Sequence, residues 1–202
     1  MFKLLSLTIV LFCMLFSNTA FSTGKFIDGN VFYNIPDAGG SDDFHTGKIL
    51  TVNYNYYYLP WLALTTGLFF SEEIFDEVKT DIVGTYQASI ETRGFTLGLR
   101  PEYNLSKRNK IYARTGILLY KTKLIVDEFF EPGLPSGSTS ETADGNGYFI
   151  GMGWQHSFTD KVSFQLELNK QKQLDLFDGK TNLDRVFDLN YTGFSIGLGY
   201  AF

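Results

Sequence analysis

The side chains that could do chemistry here are few, and most are charges in unusual places. Asp28, Arg100, Glu102, Arg114 and Glu167 each interrupt a stretch in which large apolar residues alternate with small or polar ones. In an extended strand such alternation sends successive side chains to opposite faces. The five charges all fall on the small, polar face. Between the stretches around Arg100 and Arg114, positions summing to about 214 face each other across a short turn, which sets the two arginines opposite one another. Two opposed guanidiniums need carboxylates. Glu102 is next on the same face, and Asp28 and Glu167 come from other strands at the same end. Buried charges are tolerated only when paired. Two readings follow: a closed ion-pair network that fills an interior, and a gate that rearranges to pass ions.

Nucleophilic chemistry has little to work with. The only cysteine, Cys13, lies in an apolar run near the start, and the chain has two histidines. His156 and Ser157 are adjacent, so in a strand they point apart and cannot readily share a proton. His45 stands near Ser41, Asp42 and Asp43 with no spacing that resembles a catalytic or metal motif. No cofactor or metal site is expected, and a net charge of -5 gives no reason to invoke nucleic acid.

The elements that must hold the charges are strands. The stretch Leu189 to Phe202 is the clearest: Phe194, Ile196, Leu198, Tyr200 and Phe202 alternate with Gly193, Ser195, Gly197, Gly199 and Ala201. Similar alternation runs from about Lys25 to Asn34, Thr46 to Tyr58, Trp61 to Ser71, Ile90 to Asn104, Ile111 to Val126, Gly147 to Ser157 and Lys161 to Gln171. Eight strands result. The connections after the second, fourth and sixth are short, and the other four are longer. An eight-stranded soluble barrel would show a polar outer face. Here the second face of several strands is Gly, Ala, Ser and Thr, which suits a narrow interior, while the large apolar face suits lipid. The expected fold is all-β, an eight-stranded antiparallel up-and-down transmembrane β-barrel over residues 23–202. Short turns and long loops then mark the periplasmic and external ends.

Aromatics make up 17 % of the chain. Tyr56, Tyr58, Trp61, Tyr103, Trp154 and Phe158 gather near the short turns, where a periplasmic interfacial girdle would lie. Residues 1–22 read as a signal peptide: Lys3, an apolar run from Leu4 to Phe16, then Ala20-Phe21-Ser22 in a small-x-small arrangement. Cleavage is expected after Ser22, with Ala20 as the alternative.

Leu99-Arg-Pro-Glu-Tyr103, a polar turn and Ile111-Tyr-Ala-Arg-Thr-Gly116 resemble the central hairpin of the OmpA-type eight-stranded barrel superfamily. Gly151-Met-Gly-Trp-Gln-His-Ser-Phe-Thr-Asp-Lys161 resembles the hairpin that follows, and Gly197-Leu-Gly-Tyr-Ala-Phe202 the terminal strand. The resemblance covers essentially all of the chain after residue 22. It implies a bacterial outer-membrane location and an OmpX-like, barrel-only member. It also implies that Tyr200 and Phe202 carry the signal read by the barrel-assembly machinery. Lipid A-modifying barrels share this architecture and use a Ser nucleophile with a His base, which neither histidine here matches.

The long connections carry the rest of the functional expectation. Of 22 acids, only Asp28, Glu91, Glu102, Asp160 and Glu167 lie away from them. They are either plain solvated loops, or a surface that bridges to lipopolysaccharide through divalent cations or docks to a basic host or matrix protein. Ile74, Phe75, Val78 and Ile82 stand out as apolar within the second connection, where they either pack on strand ends or form a contact surface. The expected role is non-enzymatic, envelope-structural or adhesive, for a monomer in outer-membrane lipid. A narrow channel and a lipid A-modifying enzyme are the rivals.

Overall fold

The structure is a computed structural model, and it describes residues 24–37, 47–71, 74–75, 79–80, 84–130, 136–176 and 187–202. The expected signal segment and His45, Val78 and Ile82 lie outside the described residues.

Eight long strands close on themselves. They are β1 (Lys25–Asp37), β2 (Gly47–Leu59), β3 (Leu62–Ser71), β4 (Gly84–Asn104), β5 (Asn109–Phe130), β6 (Gly137–Ser157), β7 (Val162–Leu176) and β8 (Phe187–Ala201). Each pairs antiparallel with its sequence neighbour, and β1 closes against β8 from Phe26↔Ala201 to Asp37↔Asn190. The fold is therefore an eight-stranded antiparallel up-and-down barrel, with no open edge around its closed part. Its rotation of faces follows the alternation in the sequence. On β8, Phe194, Ile196, Leu198 and Tyr200 are exposed on the outside while Ser195 is buried. On β5 the outward apolar positions run from Ile111 to Leu119, close to the roughly 9–11 residues that a tilted strand needs to cross a bilayer.

The three short connections are tight. Pro60 and Trp61 turn β2 into β3, and residues 105–108 turn β4 into β5 around Ser106, whose Oγ accepts the N–H of Asn109 at 3.1 Å. Residues 158–161 do the same for β6 and β7, with Thr159 Oγ1 accepting the N–H of Val162 at 2.9 Å.

The opposite end departs from the expected loops. Residues 127–146, which their Gly, Ser, Thr and Pro content marks as a loop, are mostly paired strand: β5 and β6 stay in register from Ile117↔Tyr148 to Glu128↔Gly137. Residues 72–89 likewise contain the start of β4 at Gly84, together with two short strand pieces at 74–75 and 79–80 paired to it. The fourth connection is shortened in the same way, because β7 runs on to Leu176 and β8 starts at Phe187. The physical reason is common to all three. Beyond the lipid, neither face of a strand meets hydrocarbon, so the inside-outside contrast that reveals a strand disappears, while Thr and Ser remain compatible with a strand. The long-against-short rhythm is accordingly weak after β5, where residues 131–136 alone separate two strands.

Candidate functional site: the barrel lumen and its projecting sheet

The inward face changes character along the barrel. Toward the short turns it is polar and charged, and toward the long connections a cluster of large apolar side chains is joined by uncharged Asn34, Thr92, Thr122 and Gln173. Small residues let both halves fit. A methyl group at Gly151 would lie 2.3 Å from Glu167 Oε1, and one at Gly153 would lie 2.4 Å from the Tyr112 ring. Gly98 and Gly116 leave room for the Phe149 ring in the same way, at 2.9 and 2.8 Å.

The structure brings the five inward charges together near the short-turn end. The β4–β5 ladder passes through Leu99↔Thr115 and Glu102↔Tyr112, which sets Arg100 and Arg114 at one level. Asp28 lies between them. Its Oδ2 accepts Arg100 Nη1 at 3.2 Å, and its Oδ1 stands 4.0 Å from Arg114 Nη1. Glu167 Oε1 accepts both Nε and Nη2 of Arg114, at 3.0 and 2.8 Å. Glu102 Oε1 lies 2.9 Å from Arg100 Nε, out of line for a hydrogen bond.

Other residues complete the cluster, and face assignment alone did not single them out. Asn53 and Asn55 each donate to Asp28 at 2.7 Å, and Asn30 donates to it from the next inward position of β1. Gln155 Oε1 accepts Arg100 Nη2 at 2.7 Å. The Tyr112 ring lies under the Arg100 guanidinium, 3.9 Å from its centre. Tyr57 donates to Glu102 Oε1, and Lys110 Nζ pairs with Glu102 Oε2 at 3.1 Å. With Lys110 included, three cations face three carboxylates (Arg100, Lys110 and Arg114 against Asp28, Glu102 and Glu167), so the cluster is neutral. The asparagines, Tyr57, Gln155 and Tyr112 all sit at inward positions of the same alternation, which is the signal that could have found them. Lys110 shares the inward parity of Tyr112 and Arg114, but it stands at the foot of β5 beside a turn, where parity alone does not show that it pairs with Glu102.

Above this layer the lumen is filled by Phe32, Ile49, Phe69, Leu118, Tyr120, Phe149, Leu189 and Tyr191, which form one buried cluster with Ala143 and Leu176. Both layers consist of buried side chains in contact across the barrel, as expected when eight strands enclose just enough space for their own interior.

The remaining candidates are at the surface. Tyr58, Trp61, Tyr103, Trp154 and Phe158 are exposed at the short-turn end, with Tyr56 partly so. Tyr200 and Phe202 stack at 6.4 Å, and Phe202 donates its N–H to Lys25 O at 3.1 Å. His156 belongs to this aromatic set: its ring lies 5.7 Å from Trp154 and 5.4 Å from Phe158, and its Nδ1 is 2.9 Å from Asn109 Oδ1. Ser157 instead lines the mouth of the lumen with Tyr57 and Lys110. The backbone of Ile74 and Phe75 pairs with Ile90 and Ser89 of β4.

At the far end β4, β5 and β6, of 21, 22 and 21 residues, continue past the apolar belt as a projecting sheet. From Lys121 to Phe130, β5 rises roughly 30 Å further at about 3.3 Å per residue. Asp127, Glu128, Glu141 and Asp144 are carried on this sheet rather than on loops. Along Gly137–Asn146, β6 pairs with β5, whereas its ladder with β7 starts only at Gly147↔Gln173.

A closed barrel with an apolar exterior of bilayer height and a polar, filled interior is a bacterial outer-membrane β-barrel. Residues 7–202 match the outer membrane protein beta-barrel domain, and the chain belongs to that family. Solved barrels share the fold at low identity. The attachment invasion locus protein Ail of Yersinia pestis is 12 % identical, with 89 % of this chain and 98 % of that one covered at a TM-score of 0.51. OprG of Pseudomonas aeruginosa is 14 % identical, with 89 % and 95 % covered at 0.52. A major outer membrane protein of Thermus thermophilus is 11 % identical, with 90 % and 100 % covered at 0.57. No curated protein matches the sequence.

Proposed function

We propose that the protein is a non-enzymatic surface-interaction protein, in which a sealed barrel serves as a rigid membrane anchor for the projecting β4–β5–β6 sheet. Residues 1–22 act as the export signal, and Tyr200 and Phe202 present the terminal strand to the assembly machinery.

The observation that carries this reading is the length of the three strands. A barrel needed only to seal or brace the envelope has no use for strands about twice as long as a bilayer crossing requires. Ordered strand, unlike a flexible loop, holds a surface in fixed shape and lowers the entropy lost on binding. The sheet displays Asp127, Glu128, Glu141 and Asp144 together with Phe129, a charged surface with an exposed aromatic. Such a surface suits a basic protein partner. The name of the Ail protein, attachment invasion locus protein, is in keeping with such a role for this fold. The filled lumen weighs against the channel reading, since passage would require both layers to move. Among the described residues the enzyme reading finds no Ser–His pair: His156 lies among aromatics outside the barrel while Ser157 lines the mouth.

The test replaces Ile125–Ser140 with a short turn, leaving the barrel below intact. Cells displaying the trimmed protein should lose binding to matrix or serum proteins that the parent captures, while the purified variant keeps the heat-sensitive gel mobility of a folded barrel. Unchanged binding by the trimmed protein would remove the basis for this reading.

A further inference from the structure

We infer that a groove on the lipid-facing side of β4 and β5 binds the phosphate of an outer-leaflet glycolipid. Just above the apolar belt, the outward positions of these strands switch from hydrocarbon to cation. On β4 the step is from Phe95 to Arg93, and on β5 from Leu119 to Lys121 and Lys123. The register groups them. Phe70 of β3 pairs with Arg93, Arg93 pairs with Lys121, and Lys123 is the next outward residue along. Together with Ser71 and Thr142 they line a groove of about 390 Å³.

Two acids bear on this charge, and one of them, Glu91, itself lines the groove. Glu91 lies across from Lys123 in the ladder, and Asp144 reaches Lys121 only at 3.8 Å, with both side chains more than half exposed. Among the described residues, Arg93 and Lys123 form no ion pair, so the site keeps an excess of positive charge facing outward. One other cation toward this end differs. Lys172, on the far side of the barrel, is held by Asp188 at 2.6 Å.

Position selects the ligand. A cation over a wall of Phe70, Phe95 and Leu119 meets the boundary between acyl chains and headgroups. An amphiphile whose chains lie along that wall places its phosphate at the groove. Guanidinium and ammonium groups donate well to phosphate oxygens, and the interface strengthens those bonds by excluding water. A free phosphate gains nothing from the apolar wall. The end of the barrel with long connections is the external one, so the lipid is a phosphorylated glycolipid of lipid A type rather than an inner-leaflet phospholipid.

The experiment uses the full barrel in detergent or nanodiscs and reads lipid adducts by native mass spectrometry. The parent should retain diphosphorylated lipid A in preference to its dephosphorylated form, and millimolar inorganic phosphate should not displace it. Combining R93A, K121A and K123A should weaken retention about tenfold or more, while K170A, at a similar height elsewhere, leaves it unchanged. The single variant K123Q, at an exposed position, should show a smaller loss and covers the case in which the triple variant folds poorly. Equal retention by the triple variant, equal binding of dephosphorylated lipid A, or displacement by free phosphate would each overturn the assignment. The trimmed hairpin described above keeps Arg93, Lys121 and Lys123, so loss of surface binding and loss of lipid binding are separable results.

Discussion

Near the short turns the lumen holds Asp28, Arg100, Glu102, Arg114 and Glu167 in a web of asparagine, glutamine and tyrosine partners, whereas one storey higher it holds Phe32, Ile49, Phe69, Leu118 and Phe149 with scarcely a charge among them. The same eight strands and the same inward positions supply both. The difference lies in what each layer demands. The apolar layer is non-directional and asks only for volume, which the glycines at 98 and 116 help to match. The charged layer is directional: Asp28 accepts from Asn30, Asn53, Asn55 and Arg100, Glu102 from Tyr57 and Lys110, and Glu167 from Arg114, so removing one cation leaves a buried carboxylate short of its partner. One layer is soft to small changes and the other is not, and both are built of buried side chains.

The largest expected effect comes from breaking the charged layer. Arg100→Ala removes the group that touches Asp28, Glu102, Gln155 and Tyr112 at once, and should cost about 5 kcal/mol, the upper end for a broken buried pair. Urea unfolding in lipid vesicles followed by tryptophan fluorescence measures it. The same variant should remain non-conducting in planar bilayers, because the apolar layer stays. A current that appears on loss of Arg100 alone would show that the two layers do not seal independently.

Phe149→Ala probes the other layer. Its ring sits over Gly98 and Gly116, which have no side chains with which to fill the space, so the loss should be about 3–4 kcal/mol. A loss as large as that of Arg100→Ala would erase the contrast between the layers.

The smallest effect lies above both. Asp188 is held below the usual carboxylate range by the hydrogen bond from Lys172 and by the N–H of Asp175, and the same bond raises Lys172. Asp188 therefore stabilises the fold at neutral pH and loses this as pH falls through its lowered value, below about 4. Lys172 contributes below about pH 10 and loses it as pH rises past that. In Asp188→Asn both slopes should flatten, by little, since the pair is partly open to water. Urea midpoints across pH compare the two proteins. An acid-side slope that survives in the variant would place its source in the lumen charges instead.

Much of this barrel was legible before any coordinates. Phe194, Ile196, Leu198 and Tyr200 against Gly193, Ser195, Gly197 and Gly199 define a lipid face and a lumen face with no further information, because hydrocarbon on one side and close packing on the other impose opposite residue types. The pairing sum of 214 across the turn at 105–108 was legible too, since a tight antiparallel hairpin leaves little freedom in register. Less came through where that contrast ends. Residues 127–130 and 137–146 pair as regular strand, yet Ser138, Thr139, Ser140 and Thr142 look like loop because water bathes both sides. Phe32, Phe69 and Phe149 fall on the inward face by count, but nothing local says that they meet one another.

The sequence by itself therefore determined the membrane-crossing parts of the eight strands, their two faces and the set of charges that must share the interior, because each of these is written in short-range periodicity. Only the tertiary structure decided that Lys110 balances the charged layer, that a separate apolar layer lies above it, that three strands stand clear of the membrane, and that Arg93, Lys121 and Lys123 meet in one groove. Those facts depend on which strands are neighbours and at what height, and closure of the ring, rather than any local pattern, sets both.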